Sequence, residues 1–319
     1  MKIKCLVIMI AILTAILASC SQPSSATPAP LPTNAPLPNP TTAPVSTQTP
    51  LPSSTVVQPS ATTAPTVIAA DKPVGIIALG HSGLTGYGTD PKKPNRDAKV
   101  NSWATGTNPE INSIYQRLLA IHPETAEHVA NTAQGGAQAI TLIDQARLAL
   151  QQVPAPEIVI VQTIDNDIRC DGSDAENLKA FGHFLEIALN EIAKTSPKSR
   201  ILLVSQPGRP AMFATALKND SAARAAFTGN GRCDLFDADG KINQEHVAAL
   251  TAIIESYESE QARVCATVPQ CSTDHGAATA YVDDITRLIP DDWNHFTVEG
   301  QARFAELMWP VVSKVLELK

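Results

Sequence analysis

A serine, an aspartate and a histidine in this chain have the residue types that nucleophilic catalysis needs. Ser82 stands in the glycine-rich segment 80–88, and Asp292 precedes His295 by three residues. A serine hydroxyl is a weak nucleophile at neutral pH and needs a base within hydrogen-bond reach. His295 could take its proton, while Asp292 could bond the second ring nitrogen and fix the tautomer. The pattern predicts a catalytic triad of Ser82, His295 and Asp292.

Two further segments hold groups that could stabilise a developing oxyanion. Gly136 lies in the stretch 131–137, and Asn166 lies in the stretch 163–167. Backbone amides and an asparagine side chain can donate hydrogen bonds to a tetrahedral intermediate, and losing one such donor typically lowers the rate about 10²–10³-fold. We therefore expect an oxyanion hole made of the Ser82 and Gly136 amides and the Asn166 side chain.

Each of these residues taken alone has a plain structural interpretation. Ser82 could be a cap, His295 a satisfied buried histidine, and Asn166 part of a turn after a strand. His81 could compete with His295 as the base, but neighbouring residues after a strand point apart. Short motifs also match by chance. The interpretation as an active site therefore requires that these residues meet at one place in the fold.

The apolar pattern predicts which elements would position these residues. Short apolar runs that end in turn residues predict strands, at residues 74–79, 128–133, 157–162, 201–204 and 279–282. Apolar residues at turn spacing predict helices, at residues 110–121, 137–151, 174–194, 243–260 and 297–318. Such alternation favours a parallel sheet covered by helices on both faces. The candidate residues follow strands, and the carboxyl ends of parallel strands are where such sheets bind ligands.

In this order and spacing, four segments resemble the conserved blocks of the SGNH, or GDSL-type, hydrolases. Ser82 matches the block-one serine, Gly136 the glycine of N-x-A-x-x-G, and Asn166 the asparagine of G-x-N-D; Asp292 and His295 match the D-x-x-H block. The resemblance spans most of residues 74–309. It implies an α/β fold, a three-layer flavodoxin-like sandwich around a central, mostly five-stranded parallel sheet. It also implies hydrolysis of esters, and we expect neither a metal nor an organic cofactor.

The chain departs from the SGNH pattern at two positions. His81 stands where that family has the aspartate of Gly-Asp-Ser, and Ile164 stands where the glycine of G-x-N-D usually lies. Neither change removes a reacting group. Both changes instead leave open the substrate class and the shape of the oxyanion hole.

The N-terminus has the features of an export signal that ends in a lipid anchor. Lys2 and Lys4 precede the apolar run 5–19, as in a secretory signal peptide. A retained transmembrane helix is disfavoured, because the run is short and no positive flank follows it. Leu17-Ala18-Ser19-Cys20 resembles the bacterial lipobox, which implies that residues 1–19 are removed and that Cys20 carries lipid. Ordinary signal cleavage near Ala18 is the alternative.

Composition divides the rest of the chain into a linker and one domain. No Asp, Glu, Lys or Arg occurs between residues 5 and 70, and residues 21–70 hold 12 of the 25 prolines. Such a stretch cannot bury enough apolar surface to offset chain ordering, so residues 20–70 are expected to be the lipidated Cys20 and a disordered Pro/Ser/Thr-rich linker. Residues 71–319 are long enough for one sizeable core and form the SGNH-like domain.

Four cysteines remain for the folded domain. An even number in an exported domain favours two disulfides, for which three pairings exist. The short loop between Cys265 and Cys271 favours that bond and leaves Cys170 to pair with Cys233. A zinc site is less favoured, because no C-x-x-C pair and no closely spaced histidine pair supports it.

Charge and location limit the partners of this chain. The net charge is −7 and no run of Lys or Arg is present, which argues against nucleic acid and anionic membrane surfaces as partners. The expected partners are a small-molecule or polymeric ester substrate and the membrane, reached through the N-terminal lipid. We expect a monomeric, exported bacterial lipoprotein that is anchored on the extracytoplasmic side.

Together these features predict a surface-tethered serine esterase acting on carbohydrate or lipid acyl esters. Two alternatives use the same fold. The departures at His81 and Ile164 motivate a non-catalytic binding lipoprotein. An acyltransferase would use the same Ser82 but pass the acyl group to an alcohol other than water.

Overall fold

The computed structural model describes residues 72–229, 231–281, 284–290 and 292–318. The predicted signal peptide 1–19, the lipidation site Cys20 and the linker to residue 70 lie outside these ranges. None of the helices within the described ranges is long and apolar enough to cross a membrane.

Five parallel strands form one sheet. They are β1 (Ile76–Gly80), β2 (Val129–Asn131), β3 (Ile158–Gln162), β4 (Arg200–Val204) and β5 (Cys271–Thr273). The sheet order β2-β1-β3-β4-β5 is the flavodoxin-like order. The central strands read as continuous apolar runs because helices cover both of their faces.

The strand predicted at residues 279–282 was wrong. Residues 277–280 form a short 3₁₀ turn, and the fifth strand lies earlier in the chain, at β5. This strand has the sequence Cys-Ser-Thr and pairs only with β4 at the edge of the sheet. A half-exposed edge strand does not need the apolar run that marks a central one, so the pattern did not reveal it.

Seven helices flank this sheet within the described ranges. They are α1 (Ile114–Ile121), α2 (Leu142–Gln152), α3 (Asp174–Thr195), α4 (Pro210–Leu217), α5 (Ser221–Ala226), α6 (Gln244–Cys265) and α7 (Val298–Val315). Side-chain caps start the two longest C-terminal helices: Asn243 accepts from the His246 amide, and Thr297 accepts from the Gly300 amide. The short helices α4 and α5 were not predicted.

The helices lie in two layers, one on each face of the sheet. Successive strand residues point to opposite faces, so Ile76 and Ala78 of β1 pack with α1, α4, α5 and α7, whereas Ile77 and Leu79 pack with α2, α3 and the C-terminal half of α6. The predicted three-layer α/β sandwich is confirmed.

Two disulfides tie loops to this framework. Cys170–Cys233 joins the loop after β3 to the loop after α5, and Cys265–Cys271 joins the end of α6 to β5. The pairing is the one that the short Cys265–Cys271 loop favoured.

Candidate active site

The strand order brings the loops that carry the candidate residues together. β1 pairs with β2 on one side and with β3 on the other, and all three are parallel. Their carboxyl ends therefore lie side by side, with Ser82 after β1, Gly136 after β2 and Asn166 after β3. The crevice between β1 and β3 is the topological switch point of this sheet order, where ligands bind in such folds.

Gly80 allows β1 to end close against β3. Its φ of +136° lies in a region that favours glycine, and a Cβ atom there would lie only 1.8 Å from the Gln162 carbonyl oxygen. The side chain of Gln145 on α2 bonds both backbone groups of Gly80: its Oε1 accepts from the amide at 2.7 Å, and its Nε2 donates to the carbonyl at 3.1 Å. Helix α2 thereby holds the backbone that presents Ser82, a role of Gln145 that no local pattern indicated.

The histidine ring joins the serine to the aspartate. His295 Nε2 lies 2.7 Å from Ser82 Oγ, and His295 Nδ1 lies 2.7 Å from Asp292 Oδ2. Because an ionised carboxylate can only accept, the Nδ1 proton donates to Asp292 and leaves Nε2 to accept from the Ser82 hydroxyl. The structure thus brings together the three residues predicted as a triad, from positions more than 200 residues apart.

The Asp292 carboxylate is also a backbone cap for its own loop. Its Oδ1 accepts from the amides of Asn294 at 2.7 Å and His295 at 2.9 Å. Partial burial raises the pKa of this carboxyl, but the hydrogen bonds from the His295 ring and from these amides outweigh burial and leave the pKa below its ordinary value. Asp292 is therefore ionised at neutral pH and can stabilise a protonated His295.

The ring of Tyr87 covers His295. The two ring centroids lie 4.4 Å apart, with the planes tilted by 35°. Tyr87 belongs to the glycine-rich segment after β1, so this segment supplies both Ser82 and a contact that holds the His295 ring in place. No pattern in the sequence indicated this contact.

The three expected oxyanion donors border one cleft. Ser82, Gly136 and Asn166, together with His295, line a space of about 570 Å³. Ser82 is the first residue of a 3₁₀ turn, where an amide has no acceptor within the turn, and the Gly136 amide donates to no acceptor within the described ranges. One N–H of the Asn166 amide donates to the Ala137 carbonyl at 3.1 Å, which leaves the second for a ligand.

Hydrogen bonds between loops fix the spacing of these donors. The carboxylate of Asp97 accepts from the Thr85 hydroxyl at 2.8 Å and from the Gly135 amide at 3.3 Å, which ties the loop after β1 to the loop after β2. Asn131, at the end of β2, donates to the Leu84 carbonyl at 2.8 Å. The same loops therefore position Ser82 and Gly136 relative to one another.

The loop after β3 contains the departure from the SGNH pattern at Ile164. Ile164 is fully buried and has a φ of +91°, a conformation that is costly for a β-branched residue and that glycine adopts freely. Glycine is thus the residue expected there on backbone grounds. In this chain the apolar side chain of Ile164 packs into the core with α2 and α3 and offsets part of that strain.

His81 is a turn residue. Its Nδ1 accepts from the Gly83 amide at 3.0 Å, which caps the turn that begins at Ser82. Burial lowers the pKa of the His81 ring, assisted by nearby His295 and opposed by the charge of Asp165. A neutral ring at this position keeps Nδ1 free of a proton, as the cap requires.

No cluster of metal ligands accompanies the site in the part of the chain that the structure describes. Groups of three or more His, Cys, Asp or Glu side chains placed to hold a metal ion do not occur there. The three tryptophans, Trp103, Trp293 and Trp309, border neither the cleft nor the other cavities described below.

Comparisons with known proteins add a likeness in structure only. No protein-family model matches the chain, and no curated protein is similar to it in sequence. The similar solved structures include an extracellular lipase from Streptomyces rimosus, with 15% identity over 76% of this chain and 99% of that one and a TM-score of 0.46.

A phospholipase A1 from Streptomyces albidoflavus has 14% identity over 76% of this chain and 99% of that one, with a TM-score of 0.46. An acetyl xylan esterase from Geobacillus stearothermophilus has 14% identity over 77% and 97%, also with a TM-score of 0.46. The chain resembles the SGNH hydrolases. The four sequence blocks and the site that they form carry this resemblance.

Proposed function

We propose that this chain is a serine ester hydrolase. The observation that carries the proposal is the His295 ring, which lies 2.7 Å from Ser82 Oγ on one side and 2.7 Å from Asp292 on the other, beside three oxyanion donors. Acyl transfer requires a nucleophile, a base and a group that orients the base, all in contact at a cleft. Ser82, His295 and Asp292 meet this requirement.

Each residue has one task in the reaction. His295 Nε2 takes the hydroxyl proton as Ser82 Oγ attacks the ester carbonyl carbon, and the oxyanion forms next to the Ser82 and Gly136 amides and the Asn166 side chain. His295 then protonates the departing alcohol, which leaves an acyl group on Ser82. Water, deprotonated by the same nitrogen, attacks the acyl group and releases a carboxylic acid and free Ser82.

The cleft favours a polar alcohol part of the ester. Its wall beyond the triad holds Asn95, Arg96, Asp97 and Gln134, which offer donors and acceptors to hydroxyl groups. A carbohydrate or another polyol ester matches this wall better than an ester of a long alkyl alcohol, whose apolar surface would face unsatisfied polar groups.

Turnover of p-nitrophenyl acetate and labelling by a fluorophosphonate test the proposal. The full chain should turn over the ester and take up the label, and Ser82→Ala should lose both, with a fall in kcat of at least about 10³-fold. Ser259→Ala, at an exposed serine on α6, is the matched control and should keep both. A binding protein on the same fold would give neither turnover nor label. Acetyl transfer to glycerol in excess of hydrolysis would assign an acyltransferase.

We also infer that the enzyme is tethered to a membrane on the extracytoplasmic side. The support is the signal-like run 5–19, the lipobox-like Leu17-Ala18-Ser19-Cys20 and the proline-rich stretch that follows. Acyl chains on Cys20 would hold the chain at the bilayer, because each buried methylene contributes about 0.8 kcal/mol. Cys20→Ala should move the protein from the detergent-extracted membrane fraction to the soluble fraction, and membrane association that survives this change would contradict the tether.

A further inference from the structure

An apolar cavity lies beside the triad but does not reach it. The cavity has a volume of about 370 Å³, and its walls include Phe213, Phe227, Leu250 and Ile254 as well as the disulfide Cys170–Cys233. Neither Ser82 nor His295 lines it. A much smaller space, of about 30 Å³, borders both Ser82 and His295 directly.

Five residues line both spaces: the apolar Pro207 and Phe213, and the polar Asp165, Gln206 and Asn294. Gln206 Nε2 donates to Asp165 Oδ1 at 3.3 Å, and Asn294 Nδ2 donates to Asp165 Oδ2 at 3.4 Å. The three polar residues come from the loop after β3, the loop after β4 and the loop of the triad, and we call them the polar partition.

The backbone of Gln206 is held firmly, so its side chain is directed across the opening. Glu258 on α6 accepts from the Gln206 amide at 3.1 Å and forms a 2.6 Å ion pair with Arg209. Arg209 also donates to the Gln206 carbonyl at 3.5 Å. Gln206 Oε1, in contrast, is buried without a hydrogen-bond partner in the described part of the chain. A buried carbonyl without a partner destabilises a fold, so stability alone does not explain this side chain.

We propose that the polar partition makes this chain specific for acetyl-sized acyl groups, with Gln206 as the specificity-determining residue. The inference rests on the proposed esterase function and deepens it. The space of about 30 Å³ beside Ser82 and His295 has less than a tenth of the volume of the apolar cavity or of the polar cleft, so it suits the shortest acyl groups best.

With the alcohol part in the polar cleft, a longer acyl chain would extend past the partition into the apolar cavity. It would have to separate the Asp165 carboxylate from the amides of Gln206 and Asn294 and lay apolar surface against that charge. Removing a carboxylate from its hydrogen-bond partners without replacing them is strongly unfavourable. The cavity therefore stays inaccessible to the acyl group while the partition is intact.

Opening the partition should lengthen the acyl chains that the enzyme accepts. In Gln206→Ala the ratio of kcat/KM for p-nitrophenyl hexanoate to that for the acetate should rise at least tenfold over wild type, which itself should favour the acetate. Gln270→Ala is the matched control, because Gln270 bonds backbone carbonyls at the far end of β5 and lines neither space. Its ratio should equal that of wild type.

Two further variants test whether opening the partition is what raises the hexanoate-to-acetate ratio. Asn294→Ala breaks the second bond to Asp165 at an exposed side chain, carries little risk for folding and should raise the same ratio. Leu250→Trp, combined with Gln206→Ala, fills the cavity and should return the ratio towards the wild-type value. If the raised ratio persists in this double variant, the longer chain does not enter the cavity. That result would overturn the inference.

The outcomes distinguish the inference from the function on which it rests. Acetate turnover and Ser82 labelling with an unchanged ratio in both Gln206→Ala and Asn294→Ala would refute the partition and leave the esterase intact. A wild-type preference for hexanoate would do the same. Neither turnover nor labelling in wild type would defeat the esterase proposal itself, and the acyl specificity with it.

Discussion

At the scale of single residues, the structure shows why a histidine is accepted next to Ser82. The turn that begins at Ser82 needs a side-chain acceptor for the Gly83 amide, and His81 Nδ1 provides it at 3.0 Å. A carboxylate can accept the same bond, so Asp and His are alternatives for one local task. The difference between them is that the His81 ring can gain a proton near neutral pH.

This difference predicts a pH dependence of stability. The folded pKa of His81 lies below its ordinary value of 6.5 because the ring is buried; Asp165, His295 and the Thr163 backbone are the groups that face it. As pH falls below 6.5, the unfolded chain gains a proton here before the folded chain does, so His81 contributes stability above this pH and loses it as pH falls towards the folded pKa. His81→Asn keeps an acceptor that does not titrate. Between pH 7 and pH 5 its Tm should fall less than that of wild type.

A matched substitution at another histidine tests whether the change in the pH dependence of Tm is specific to His81. His275 is exposed in the loop after β5, so His275→Asn should follow the wild-type profile. If His81→Asn and wild type lost Tm in parallel across this range, the assignment of a neutral, capping His81 would be wrong.

At the scale of elements, the loop after β3 joins the cleft beside Ser82 to the core. Asn166 supplies a donor to the cleft, and the next residue, Asp167, accepts from the Ala139 amide at 3.1 Å in the segment that follows Gly136. Burial raises the pKa of Asp167 to about 6, against the opposing effect of the hydrogen bond from Ala139. The loop thus holds a carboxylate that is poorly solvated when charged.

The raised pKa of Asp167 predicts that removing its charge stabilises the fold at neutral pH. Between about pH 4 and pH 6 the folded chain binds a proton that the unfolded chain releases, so the contribution of Asp167 to the free energy of unfolding falls as pH rises. The interval from 3.8 to about 6 corresponds to about 3 kcal/mol. Asp167→Asn retains an acceptor for Ala139 and should raise the free energy of unfolding by about 1–3 kcal/mol at pH 7.5.

Denaturant unfolding at two pH values measures this effect. The stabilisation should shrink towards pH 4, where the folded wild-type chain holds the proton and the unfolded chain begins to take it up. Asp144→Asn, at an exposed position on α2, should change little at either pH. Destabilisation of Asp167→Asn at pH 7.5 would mean that the charged carboxylate is required by the loop.

At the scale of the whole molecule, the two disulfides differ in how much chain they close. Cys170–Cys233 closes 63 residues and links the two loops that wall the apolar cavity, whereas Cys265–Cys271 closes only 6. Loop-closure entropy assigns about 4 kcal/mol to the first bond and about 2 kcal/mol to the second. The long-range bond should therefore matter more to global stability.

Paired alanine variants test this order. Cys170→Ala with Cys233→Ala should lose about 4 kcal/mol of unfolding free energy in urea, and Cys265→Ala with Cys271→Ala about 2 kcal/mol. The reverse order would indicate that the short bond between α6 and β5 supports the packed edge of the sheet by more than its loop entropy.

The elements that were predictable have local causes. The sequence predicts the strands β1, β3 and β4 correctly, because strands that are buried on both faces must be apolar throughout. The starts of α6 and α7 were predictable too, because the side chains of Asn243 and Thr297 cap the first turns of these helices. The edge strand β5 and the short helices α4 and α5 were missed because each is too short for an apolar period to show, although Pro210 begins α4 and Asp220 caps α5.

The amino-acid sequence by itself indicated the candidate triad, the central strands β1, β3 and β4 and the residues that cap α6 and α7, since each depends on side-chain chemistry and near neighbours. Only the tertiary structure decided that Gln145 supports Gly80, that Tyr87 covers His295 and that Asp165, Gln206 and Asn294 meet between two cavities. A parallel sheet gathers the carboxyl ends of strands that are far apart in sequence. Which side chains then touch depends on how the whole core packs, and no local pattern contains that information.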